Sequence, residues 1–243
     1  MLLKIGATIV GLGIGTYAAS KSNESKERKE KEQRQRDVQM AKEEEKEKEL
    51  KILSSVKEIK KFEQLWGKRL TSLIIVDSNI WMQQEYSRFF RDLEWVMKRF
   101  SSNIKMSSIQ FDEIVNLKDL PYANPKSKLA RCALARIEDF QKIGLIEIIP
   151  MKFEANKYAY ADPDIIKFLV DSSREYPVMT LVSDDRELRI RTNQIVKDKS
   201  KSDFLSITGQ DLEKEVSNYR NNLTFVEPFI EINFPDIVED WTF

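Results

Sequence analysis

The chain has 243 residues, 41 % hydrophobic and 33 % charged, with Lys plus Arg at 40, Asp plus Glu at 40 and no net charge. It has no histidine and one cysteine, Cys132. These counts exclude Ser-His-Asp and Cys-His nucleophile systems, His-ligated zinc or haem, cysteine-rich metal sites and an internal disulfide. Acid–base work falls to carboxylates, Lys, Tyr or a metal-bound water, and any metal is expected to be hard and oxygen-ligated.

Residues 1–20 carry one charge, Lys4, and are otherwise small and apolar. A helix over Leu2 to Ala19 spans roughly 27 Å, close to the hydrocarbon thickness of a bilayer. Gly11 and Gly15 give a GxxxG spacing that membrane helices tolerate and that offers a surface for self-association. The segment reads as an uncleaved membrane anchor, with a signal peptide or a buried strand as rivals. The Lys and Arg that follow put the C-terminal side in the cytoplasm, as a single-pass membrane protein. Residues 21–50 are Lys, Glu, Gln and Arg with charges at helical spacing, as in Glu44–Lys48. They read as a charged helical stalk, or else as a disordered linker. Residues 51–72 read as an amphipathic helix that packs on the domain.

Strands and helices then alternate. Leu73–Val76 reads as a strand buried on both faces, 89–100 as a helix, and 104–109 as a second strand. A helix over 129–143 ends at Gly144, and 145–149 is a third strand. A helix over 163–174 is capped by Asp162, and Val178–Val182 is a fourth strand. A helix follows from Arg186, and 204–207 reads as a fifth strand. The pattern predicts an α/β fold, three-layer α/β/α with a central parallel sheet.

Acids follow the strands. Asp77 ends Val76-Asp77-Ser78-Asn79, Glu113 lies beyond the second strand, Asp162 and Asp164 open a helix, and Asp184 and Asp185 follow the fourth strand. Ligands of open α/β sheets bind at the carboxyl ends of the strands, so these groups can converge on one rim. Close carboxylates repel unless protonated or bound to a cation, and Mg²⁺ or Mn²⁺ resolves that conflict. Taken singly, each Asp also reads as a helix cap.

From 73 to 191 the chain resembles a PIN-domain nuclease. Leu73-Ile74-Ile75-Val76-Asp77-Ser78-Asn79 is similar to the opening strand and turn of that family. Ser107-Ser108-Ile109-Gln110-Phe111-Asp112-Glu113-Ile114 is similar to its second-acid segment, and Leu181-Val182-Ser183-Asp184-Asp185-Arg186 to its last strand and turn. Ser183 stands where Thr is more usual. The resemblance implies catalytic acids Asp77, Glu113, Asp162 and Asp185, with Asp164 and Asp184 as further metal ligands, and Ser78, Asn79 and Ser183 supporting the turns. It implies a Mg²⁺- or Mn²⁺-dependent ribonuclease over residues 73–224, cutting RNA by metal-assisted hydrolysis.

Arg186, Arg189 and Arg191 with Lys197, Lys199 and Lys201, and the run Lys126, Lys128, Arg131 and Arg136, could hold phosphates of single-stranded RNA; the bland reading is solvated helix faces. Trp81 is the better candidate for base stacking, whereas Phe89 reads as core. Residues 225–243 form an acidic and hydrophobic extension without Lys or Arg. It is expected to pack on the domain, bind a protein partner or mimic a polyanion. The rival to a nuclease is a catalytically silent PIN-like module that binds RNA or protein at a membrane. A phosphatase is disfavoured because Asn79 stands where a second Asp would be, and a receiver because no late-strand Lys is evident.

Overall fold

The computed structural model describes residues 3–151 and 161–233, with side chains over 28–151 and 163–229. By contacts the chain forms two units, residues 1–54 and 55–243. One helix, α1, runs Leu3–Leu70. The expected boundaries at 20/21 and 50/51 are therefore not breaks in secondary structure. Contacts at i, i+4 support its charged part: the ion pair Arg28–Glu32 (3.2 Å) and the hydrogen bonds that Gln33 and Gln39 donate to Asp37 and Glu43. The expected membrane segment, 1–20, lies outside the residues whose side chains are described. Among the described residues no helix is long and apolar enough to cross a membrane.

The second unit is α/β. Its strands are β1 (Leu73–Val76), β2 (Ile104–Ser107), β3 (Ile146–Ile149), β4 (Val178–Val182) and β5 (Asp203–Ile207). All pair in parallel, in the order β3-β2-β1-β4-β5. Every residue of β1 is buried, as a central strand covered on both faces requires. The chain moves outward from β1 to β2 and β3, then returns to place β4 on the other side of β1. The β1–β4 boundary is thus the point where the winding reverses, the usual position of a ligand crevice in such sheets.

The helices after α1 are α2 (Ser78–Met82), α3 (Ser87–Arg99), α4 (Ser108–Lys118), α5 (Pro125–Lys142), α6 (Ala161–Ser172), α7 (Arg186–Lys199) and α8 (Gly209–Asn233). Alternation along the strands gives each face its own core. Leu73 and Ile75 of β1 and Met179 and Leu181 of β4 meet Ile165 and Leu169 of α6 and Leu188 and Val196 of α7. A second set of helices is joined by aromatic rings. Trp81 contacts Phe90 and Phe140, and Tyr219 of α8 stacks on Phe62 of α1 at 4.2 Å between centroids. The arrangement is consistent with three layers, α/β/α.

Local chemistry sets several boundaries away from the sequence expectation. Ser107 and Gln110 form a capping box, so β2 stops at Ser107 and 108–109 are helical, not strand. Asn124 caps α5 with Pro125 in its first turn, which starts the helix before residue 129. At the other end Gly144 takes φ +73°, and Leu145 N–H bonds the Phe140 carbonyl, a Schellman closure that only glycine adopts cheaply. Asp162 falls within α6, which begins at Ala161, and is not the residue before it. Helix α8 passes through the expected boundary at 225 and contains Pro228. The last part of the expected extension, 234–243, lies outside the described residues.

Candidate functional site

Asp77 follows the last residue of β1 and is 3 % exposed. Its N–H donates to the Val182 carbonyl at 2.9 Å, which continues the β1–β4 ladder past the strand end. The residue occupies the N-cap position of α2, yet its carboxylate makes no capping hydrogen bond. It faces sideways along the rim instead. Ser183 Oγ donates to Asp77 Oδ2 at 2.8 Å, and the Asn79 amide stands 3.5 Å from the same oxygen. Ser78 Oγ lies 3.3 Å from Asp77 Oδ1 and 2.8 Å from Glu113 Oε2. A hydroxyl has one proton, and the shorter contact, to Glu113, takes it.

Glu113 reaches this point from α4. The capping box aims the helix, and Gln110 adds a tie by donating its side-chain amide to the Val76 carbonyl at 3.3 Å. The Ser107–Gln110 pattern is legible in sequence as a cap, but its link to the end of β1 is not.

On the other side, the Asp185 N–H donates to Ser183 Oγ at 3.0 Å. Ser183 thus accepts from one acid's backbone and donates to the other acid's carboxylate, a polarised relay in which each bond strengthens the next. Asp185 caps α7, its Oδ1 accepting from Glu187 N–H (2.7 Å) and Leu188 N–H (3.0 Å). The cap reading of Asp185 is correct for that oxygen. Among the described residues Oδ2 has no hydrogen-bond donor. The connected set is Glu113–Ser78–Asp77–Ser183–Asp185, spanning the β1–β4 crevice.

Asp184 turns elsewhere. Its Oδ2 accepts from Tyr86 Oη (2.9 Å) and Gln83 Nε2 (3.2 Å), and its Oδ1 from Gly209 N–H (2.9 Å). These bonds pin the turn after β4 to the starts of α3 and α8. A Cβ at Gly209 would meet Ile80 Cδ1 at 2.7 Å and Tyr86 at 2.8 Å, so this junction demands glycine. Burial, and then the bond to Asp184, hold the Tyr86 phenol far above its ordinary pKa. Asp164 sits in the first turn of α6 and is half-buried, with no hydrogen bond to the acid set among the described residues. The α6 helix ends at Ser172, six residues before β4 starts, so its first turn lies one helix length, about 18 Å, from that end and on the side of the carboxyl rim. The side chain of Asp162 lies outside the described residues.

The expected nucleic-acid contacts divide. Arg186, Lys126, Lys128 and Arg131 are exposed, and Arg191 is exposed but ion-paired with Glu187. Arg189 is half-buried and donates to the Ser183 carbonyl, so it braces the turn. Trp81 corrects the sequence expectation of a stacking platform. It is completely buried, donates Nε1–H to the Val76 carbonyl at 3.2 Å and packs on Phe90 and Phe140. A short helix directly after a buried strand turns that face inward, which the sequence position alone does not reveal. Arg136, expected with the phosphate-holding run, is half-buried and braces α2 instead. It donates to the Trp81 carbonyl at 2.7 Å and lies over the Phe90 ring at 4.3 Å.

Among the described residues no group of three or more Asp, Glu or Cys stands ready to hold a metal ion. Asp77, Glu113 and Asp185 carry carboxylate oxygens, the donor type a hard divalent cation takes, and hydrogen bonds of Ser78 and Ser183 link the segments that carry them. No family model matches the chain, and no curated protein matches it.

Proposed function

We propose that the chain is a Mg²⁺- or Mn²⁺-dependent ribonuclease with a PIN-like domain, anchored in a membrane through residues 1–20 with that domain on the cytoplasmic side. One observation carries the reading. Asp77 is a buried carboxylate at the winding reversal of a parallel sheet, it does not cap its helix, the Ser183 hydroxyl joins it to the Asp185 backbone, and its chain neighbour Ser78 holds Glu113. Burying a carboxylate is costly unless hydrogen bonds and opposite charge offset it; Ser183 supplies a hydrogen bond here, and a bound cation would supply opposite charge.

Asp77, Asp185 and Asp162 would hold the cation, with Glu113, Asp164 and Asp184 near the same rim. When bound, the cation supplies charge neutralisation at the phosphate and a more acidic water. The chain's own part is positioning. Ser183 fixes the Asp77 carboxylate and the Asp185 backbone together, so neither can turn without the other. Ser78 fixes Glu113, which comes from α4, where its carboxylate can accept a proton from water. Arg186 and the exposed basic residues of α5 provide positive charge for the RNA backbone.

The second reading, a silent RNA- or protein-binding module, is favoured by the lack of a three-acid metal group among the described residues. The two part on cleavage of single-stranded RNA by the full chain in Mn²⁺ against EDTA. A nuclease cuts only with the ion; a silent module binds and does not cut.

A further inference from the structure

Helices α3 and α8 lie side by side, and a groove of about 730 Å³ runs between them. Its walls carry one stripe of α3, Arg88, Arg91, Trp95 and Lys98, spaced three, four and three residues apart, so they align on a single helix face. Opposite them α8 presents Arg220, whose guanidinium lies 5.6 Å from the Trp95 ring centroid, and the polar Asn221 and Thr224. Two acids line the groove and both are committed. Buried Asp92 binds Arg220 at 2.6 Å, Arg88 at 3.8 Å and Ser217 Oγ at 2.8 Å, and Glu94 binds Lys98 at 2.6 Å, so two acids face four cations. Arg91 is exposed and makes no ion pair among the described residues. The lining carries a positive excess, mostly as guanidinium, the cation best matched to phosphate.

The position of the groove matters as much as its charge. Both helices start at the carboxyl rim, at the Tyr86–Asp184–Gly209 junction beside Asp185. Arg88 is two residues beyond Tyr86, and Lys98 lies about 15 Å farther along α3. We propose that this groove is the track along which single-stranded RNA leaves the acid crevice, with the guanidinium groups on its phosphates and the exposed part of Trp95 against a base. The proposal rests on the ribonuclease reading. An acidic peptide would satisfy the same charges; the exposed part of the Trp95 ring, which rests on Arg220 and Tyr219, adds a surface that a base can stack on and acidic side chains do not use, so RNA is the occupant the lining favours.

The test uses the full chain in detergent, with Arg91→Gln/Lys98→Gln and, separately, Arg91→Glu. Both positions are exposed, and matching melting curves check the fold. Binding of fluorescein-labelled oligouridine is measured in EDTA across a salt series, and cleavage in Mn²⁺. The track predicts about a tenfold loss of affinity for each variant and, for the double variant, a salt slope shallower by about 1.4. Oligouridine binding and salt slope equal to the parent chain's overturn the track. So does a loss confined to a polyglutamate probe, which would make the groove an acidic-peptide site. The ribonuclease reading fails separately, by absence of Mn²⁺-dependent cleavage in the parent chain.

Discussion

Ser183 Oγ donates to Asp77 Oδ2 at 2.8 Å and accepts the Asp185 N–H at 3.0 Å, so one buried hydroxyl orients two acids on neighbouring strands. Ser183 and Asp77 are 106 positions apart in sequence and adjacent because β4 pairs with β1, Val76 opposite Val182. Register supplies the geometry; the hydroxyl converts it into a fixed carboxylate.

Ser183→Ala therefore leaves the Asp77 carboxylate and the Asp185 N–H short of a partner in a buried place. The expected cost is about 1–3 kcal/mol of stability, read by urea unfolding. RNA cleavage should fall about 10- to 100-fold, the usual effect of removing a hydrogen bond that orients a ligating carboxylate. Ser183→Thr keeps the hydroxyl and should retain cleavage within several-fold. A threonine variant as weak as the alanine variant would mean that packing at this position, not the hydroxyl, is what matters.

Glu113→Gln keeps a group that can accept from Ser78 but removes a negative charge from the crevice. Stability should hold or rise slightly, because like charges are relieved. Cleavage should drop by about 100-fold or more, in line with loss of a positioned base. Equal cleavage by the variant would remove Glu113 from the mechanism.

Alkaline pH offers a check on Asp184. Tyr86 is held above its ordinary value near 10, by burial first and the Asp184 bond second, and Tyr219 is raised by burial and by Glu63. A raised phenol pKa means the folded chain keeps protons that the unfolded chain loses. Stability is complete below pH 10 and falls as pH climbs above it. Thermal melting between pH 8 and 11 should show that decline, and Tyr86→Phe should reduce its slope. An unchanged slope in Tyr86→Phe would show that its phenol ionises no less readily than in the unfolded chain.

The buried position of Trp81 predicts a stability effect without a binding effect. Trp81→Phe loses the bond to the Val76 carbonyl and part of a filled volume, at about 1–3 kcal/mol. Oligouridine affinity of the folded variant should match the parent chain. A selective loss of affinity would return Trp81 to the RNA surface.

Sequence pattern located every strand to within two residues at either end, because short apolar runs alternating with amphipathic helices mark strands covered on both faces. It also placed Asp77, Glu113 and Asp185 after the right strands. The family resemblance chose Asp185 over Asp184 as the catalytic acid, but the residue pattern alone does not separate them, since neighbouring acids in a turn differ only in which way the backbone aims them. Asp184 is aimed by Tyr86, Gln83 and Gly209, all far away in sequence. Trp81 escaped for a related reason: five residues of helix after a buried strand carry too little periodicity to show their inward face. The α3 stripe was hidden because its apolar side, Phe89, Leu93, Val96 and Met97, dominates the same stretch.

The central claim is that Asp77 serves a cation and a phosphate, not the fold. The full chain and its Asp77→Asn variant, in detergent, should be incubated with end-labelled single-stranded RNA in Mn²⁺, in Mg²⁺ and in EDTA. Cleavage by the parent chain should need the ion and be lost in the variant, while the variant melts no lower than the parent. A parent chain that is folded and binds RNA, yet cuts nothing in either ion, would contradict that claim and leave a silent binding module.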